Sequence, residues 1–199
     1  MTKATNSSKG GVSAENFASA ARKVAGRGPA PVHLWDPPHC GPLDIRIARD
    51  GTWFYLGTPI GRPELVKLFA SILRKDPDEY VLVTPVEKVG IIVDDAPFVA
   101  VDFNATGSGR DQVLRFETNV GDFTDAGPEH PIRVERDAKS GEPSPYVHVR
   151  GGLEALIDRK SFYRLVDLGV HEVQDGESWF GVWSGGRFFP IIPSREIET

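Results

Sequence analysis

Along the chain the apolar positions fall into two spacings, and the switches between them mark out the elements. Residues 1–12 read as a disordered tail, after which Phe17, Ala18, Ala21 and Val24 recur at helical spacing over Ala14–Val24, with Ser13 placed to cap. Pro29, Pro31, Pro37, Pro38 and Pro42 then form an extended lead anchored by Trp35. Proline has no N–H to give, so this lead is expected to be neither helix nor central strand. Over Asp44–Arg49 the pattern alternates, with Ile45 and Ile47 on one face and Asp44 and Arg46 on the other, which predicts a half-buried strand. Asp50-Gly51 predicts a hairpin turn with both residues at positive φ, and Thr52–Leu56 returns as its second strand. Leu65, Leu68, Phe69 and Ile72 then define one face of a helix over Pro63–Leu73, with Pro63 at its first position and Arg74 and Lys75 at its negative end. Strands follow at Tyr80–Thr84, Val89–Val93 and Phe98–Phe103.

The second half repeats this grammar. Gln112–Thr118, Ile132–Arg136, Tyr146–Arg150 and Leu153–Ile157 read as strands, the last two joined by Gly151-Gly152. Asp158 is placed to cap a helix carrying Phe162, Leu165 and Val166, which Gly169 at C′ would end. Asp175-Gly176 and Gly185-Gly186 then separate strands at His171–Val173, Trp179–Trp183 and Arg187–Ile192. Ile60-Gly61-Arg62 and the helix after it align with Ile157-Asp158-Arg159 and the second helix at one constant offset. The expectation is an α+β fold of two related β-rich halves, each a β-hairpin followed by one amphipathic helix. Residues 1–28 would be a disordered or weakly helical tail, 29–96 the first domain and 97–199 the second. Two such halves would face each other across a seam, where ligands prefer to sit.

Composition sharpens this by exclusion. The 199 residues include one cysteine, Cys40, so no internal disulfide can form, and no apolar run is long enough to span a bilayer as a helix. The opening MTKATNSSKGG lacks the apolar segment of a secretory signal, so a cytoplasmic protein is expected. Residues 1–30 carry a net charge of +4 and the remaining body −9. An acidic body argues against duplex nucleic acid as partner, whereas a small anionic ligand needs only a local group of cations.

The stretches DIRIARDGTWFYLGTPIGR (Asp44–Arg62), LVTPVEK (Leu82–Lys88), TNVGD (Thr118–Asp122) and PYVHVRGGLEALIDRKSFYRLV (Pro145–Val166) resemble the domain of unknown function 1285 family of proteobacteria. The likeness runs from about His33 to Pro193. It implies a duplicated α+β core whose second half is superficially like a pleckstrin-homology barrel. It also implies a cleft between halves for a nucleotide-based ligand and a signalling role, with no established activity.

Candidate ligand residues follow from both readings. Arg62 and Arg159, each before a helix, would make a two-sided phosphate clamp. Tyr146, His148 and Arg150 alternate on one strand face, opposite Val147 and Val149, and could stack a base and hold a phosphate. Arg46 lies on a polar strand face, Thr84 and Lys88 flank Pro85 at a strand end, and Asn119 and Asp122 flank the Gly121 turn. The adjacent Asp94 and Asp95 point apart on an extended chain and would cap the turn before Pro97. No nucleophile elbow and no phosphate loop are present, and His33, Asp36, His39 and Cys40 lack a second ligand pair, so neither metal nor cofactor is expected. The reading is therefore a non-enzymatic module binding an anionic, nucleotide-like ligand. The alternatives are a small phosphoester or nucleotide hydrolase using His148 or His130 with Asp122, and a protein-interaction module.

Overall fold

A computed structural model describes residues 13–24, 26 and 28–197. The expectation of a disordered segment over residues 1–12 lies outside them. Helix α1 (Ala14–Val24) starts where Ser13 Oγ accepts the Asn16 amide, and its buried Phe17, Ala18 and Ala21 face inward against α2 (Pro63–Ser71).

Fifteen strands make three sheets among the described residues. The first contains β1 (His39–Ile47), β2 (Trp53–Tyr55), β3 (Thr58–Pro59), β4 (Leu73–Lys75), β5 (Tyr80–Val83) and β6 (Lys88–Val93), in the order β3-β2-β1-β6-β5-β4. The second contains β7 (Phe98–Thr106), β8 (Val113–Thr118), β9 (Phe123–Asp125), β10 (Ile132–Arg136), β11 (Pro143–Arg150) and β12 (Leu153–Ile157), in the order β10-β11-β12-β7-β8-β9. Numbered from its own first strand, each sheet reads 3-2-1-6-5-4, with the first and sixth strands parallel and every other pair antiparallel. The helices break this correspondence. Helix α2 joins the third strand to the fourth in the first sheet, while α3 (Arg159–Val166) follows the sixth strand of the second. Hairpin-then-helix thus occurs in both halves, but at different places in the shared strand order. A third, antiparallel sheet of β13 (Val170–Gln174), β14 (Glu177–Ser184) and β15 (Arg187–Pro193) covers the second half, burying Val182, Phe189 and Ile191. One continuous apolar core runs from Phe17 through Trp53 and Phe69 to Phe98, Phe116, Leu165 and Phe189.

Several local expectations are corrected. The proline-rich lead does enter a central strand: β1 reaches back to His39 through Pro42, and its parallel register with β6 shifts on both sides of that proline. The irregularity takes up the missing donor. Helix α2 ends at Ser71, because Ile72 turns out of it and Leu73 starts β4 opposite Leu82; pairing with β5 overrides the helical spacing of the same apolar residues. At the first hairpin only Gly51 has positive φ (+84°), whereas both residues do at Gly151-Gly152, Asp175-Gly176 and Gly185-Gly186. Gly169 is not a left-handed helix cap: α3 is closed by Asp167. Glycine is needed there because a Cβ would come within 2.0 Å of the Phe180 ring.

Candidate functional site

The two halves meet where α2 faces the Thr118–Asp122 turn, and the contacts there come from residues that looked like ligand contacts in the sequence. The turn is closed by Gly121 N–H donating to the Thr118 carbonyl and by the Asp122 amide on Thr118 Oγ1 (3.0 Å), with Gly121 at φ +86°. Asn119 stitches it in three directions. Its amide N–H donates to the Val99 carbonyl, its Oδ1 accepts the Val99 amide (3.0 Å), and its Nδ2 donates to the Gly51 carbonyl of the opposite half (3.3 Å). Arg150 donates to the Asp122 carboxylate and to the Ala70 carbonyl at the end of α2 (2.8 Å), its guanidinium lying 5.0 Å over Phe98.

A second fastening lies on the other side. Arg49 donates to Asp95 and to Ser144 Oγ, while Tyr146 Oη donates to Asp95 Oδ1 (2.8 Å). Tyr146 is 3% exposed and its ring is covered by the Arg133 guanidinium at 4.3 Å, so it offers no free face for a base. Burial, with Asp95 beside it, pushes the Tyr146 phenol above its usual range.

The remaining candidates are also engaged in the fold. Arg46 grips Asp94 through two hydrogen bonds, which hold the Asp94 carboxyl below the usual carboxylate range, so Asp94 and Asp95 serve arginines of the first half instead of capping their own turn. Thr84 is fully buried and closes its turn through the Glu87 amide and carbonyl. Lys88 joins Arg74 on Asp76, and the Arg74 hydrogen bonds lead in lowering the Asp76 pKa. His148 Nε2 accepts the Gly152 amide (3.1 Å), so its proton sits on Nδ1, against His130 Nδ1 at 3.2 Å. Burial first, and His130 second, lower the His148 pKa. Asp122 is held by Arg150, and among the described residues no hydrogen bond joins it to either histidine. Arg159 Nε donates to Tyr163 Oη (2.9 Å) and lines a different depression from Arg62.

The open polar groups are elsewhere. Two depressions of about 240 and 420 Å³ flank Lys67 along the seam, the smaller walled by Trp53, Gly61, Pro63 and Asn119, the larger by Ser71, Gly121 and Asp122. Trp53 is 2% exposed and its indole Nε1–H has no acceptor among the described residues. Arg62 caps α2 through backbone alone, no side chain accepting from the first turn, and its own side chain lines a third pocket shared with Arg22 of α1. Among the described residues Lys67 is held only by the exposed Glu64 at 3.7 Å, a pair too weak to withhold it from a ligand. Trp53 and Lys67 were not singled out by sequence, since an aromatic in a strand reads as core and a lysine on a helix as solvated surface. No group of three or more His, Cys, Asp or Glu side chains comes together as a metal set among the described residues, nor is any helix there long and apolar enough to cross a membrane.

The architecture defines a mixed α+β protein built chiefly from two six-stranded sheets around one core. Family models for the N-terminal and C-terminal domains of DUF1285, described as of unknown function, match residues 30–96 and 97–191, and the chain belongs to that family. A DUF1285 protein crystal structure from Silicibacter pomeroyi DSS-3 is 62% identical, covering 92% of this chain and 98% of its own, with TM-score 0.84. A second, from Shewanella baltica OS155, is 34% identical over 63% of this chain and 91% of its own, with TM-score 0.50. No curated protein matches the chain.

Proposed function

We propose that this protein is a non-enzymatic regulatory module that holds a small anionic ligand, with nucleotide phosphates as the first class to test, in the seam beside Lys67. The observation that carries the reading is Trp53, which lines the depression at the start of α2 and whose buried indole N–H has no acceptor among the described residues. A buried donor without an acceptor costs about 1–3 kcal/mol, which an anion's oxygen would recover. Lys67 supplies charge, the positive end of α2, where no side chain caps the first turn, adds to it, and Asn119 brings in the opposite half. Arg62 lies just beyond Gly61, which lines both pockets, and can add a second cation. A ligand touching both halves favours their joined arrangement and so carries a signal through population shift. The common strand order of the two sheets supports descent from a duplicated six-stranded unit.

The test is thermal unfolding with inorganic phosphate, mono- and trinucleotides and cyclic dinucleotides at fixed ionic strength. Occupancy at a hundredfold excess over Kd adds about 2.7 kcal/mol of stability. At least one phosphate ligand should raise Tm in the wild type, less in Lys67→Ala and Trp53→Phe. Flat melts across the panel, or full response in both variants, would remove the seam as the site.

A further inference from the structure

We propose a second, independent binding site on the outer face of the three-stranded sheet, for an organic cation bearing an alkylammonium or guanidinium group. The inner face of this sheet is core, but the outer face presents Trp179 and Trp183 of β14 with Phe188 of β15 between them. Gly181 makes that placement possible, since a Cβ there would come within 2.7 Å of Phe188 Cζ and 2.2 Å of the Phe189 carbonyl. The Trp183 and Phe188 rings stand 5.6 Å apart at 57°, forming a corner. The three rings line a depression of about 620 Å³ whose rim carries Asp175 and Glu177. Asp175 has no side-chain partner among the described residues, and Glu177 is met by the exposed Arg195 at 2.9 Å. Arg187, 5.7 Å over Phe189, is the cation in the lining and marks its opposite edge.

The fold already uses this chemistry once within the chain. The Arg110 guanidinium sits 4.8 Å over the Trp183 ring while pairing with Glu172 (3.8 Å), which also accepts the Trp183 indole N–H (3.2 Å). Cation, indole face and carboxylate form a closed set there. Around Trp179 and Phe188 the ring faces stand beside Asp175 with no cation over either ring among the described residues, Arg187 lying over Phe189 and Arg195 meeting Glu177 at the rim. With the indole N–H of Trp183 spent on Glu172, what Trp179 and Phe188 offer is ring face beside the Asp175 carboxylate, and this favours a cation over an anion or a neutral amide.

The indole N–H signals of the four tryptophans report the test in ¹⁵N-labelled full-length protein. Choline chloride and N-acetyl-arginine amide are titrated separately against sodium chloride of equal ionic strength. The expected result is a saturable shift of the Trp179 and Trp183 signals, assigned through Trp179→Phe and Trp183→Phe, with Trp53 unmoved. Asp175→Asn with Glu177→Gln, which keeps shape and removes charge, should weaken binding about fivefold. Tighter binding of the arginine probe assigns the site to guanidinium side chains, and tighter binding of choline to quaternary ammonium ligands. Shifts that do not saturate, that sodium chloride reproduces, or that survive the double substitution unchanged would overturn the proposal. Since Trp53 belongs to the seam, failure at either site leaves the other readable.

Discussion

Helices α2 and α3 begin with aligned tripeptides, Ile60-Gly61-Arg62 and Ile157-Asp158-Arg159, yet their starts are built in opposite ways. Asp158 caps α3, its carboxylate accepting the Ser161 amide at 2.7 Å. The helix therefore starts one residue earlier in the aligned frame, and Arg159 becomes its first helical residue. In α2 the capping position falls on Arg62, which has no acceptor to offer, and the first turn is left open beside Trp53 and Lys67. A single replacement, glycine for aspartate, turns a closed helix start into an open one. The contrast puts the open helix start in the first half and the capped one in the second, although the two sheets share a strand order.

The largest effect should come from separating the halves. Arg150→Ala removes a charge-assisted contact to Asp122 and the hydrogen bond to the Ala70 carbonyl across the seam. It should cost about 2–3 kcal/mol in urea unfolding, with Asp122→Asn costing less because a carbonyl oxygen remains to accept. A loss under half of that would mean the seam is held by the apolar core alone. Next comes the cap itself. Asp158→Ala should cost about 1 kcal/mol, while Arg62→Ala at the capping position of α2 should stay within about 0.5 kcal/mol. Equal losses would erase the contrast between the two starts. The reciprocal change sharpens it further: Arg62→Asp supplies the missing cap and should add about 0.5–1 kcal/mol, measured in the same way. The same substitution puts a carboxylate beside the open turn and should abolish any phosphate-dependent rise in Tm.

How much of this was legible in the sequence follows from what each signal encodes. Hairpins built on two glycines or Asp-Gly at positive φ, the Asp158 cap and the alternating strands β8, β11 and β12 are local, and their residues announce them. Strands β3, β4 and β9 are two or three residues long and exist only through their partners, so no local pattern marks them. The candidate site divides along the same line. Asn119 and Asp122 flank a turn, as their pattern with Gly121 indicates, and what the pattern does not carry is that their side chains hold this turn and the opposite half. Sequence lists cations and hydroxyls without saying which ones the fold has already satisfied. Arg46, Arg150 and Lys88 are spent on Asp94, Asp122 and Asp76, and only the folded chain distinguishes them from Lys67.

The smallest expected effect separates the second half from the first by pH. His148 is half-buried against His130, and Gly152 donates to the ring nitrogen that a second proton would need. Burial and the neighbouring imidazole both hold its folded pKa below the ordinary histidine value of about 6.5. Between that lowered value and 6.5 the unfolded chain therefore binds more protons than the folded one, and stability must rise with pH in this window. The acid limb follows in reverse: as pH falls from neutral through about 6.5, unfolding free energy declines, then levels off once the folded ring also titrates. His148→Gln, which cannot take up a proton, should flatten that slope, and urea midpoints measured at several pH values across the window check it. A slope unchanged in His148→Gln would place the acid sensitivity elsewhere, whereas one that persists in Asp158→Ala and disappears in His148→Gln assigns it to the histidine pair and not to the helix start.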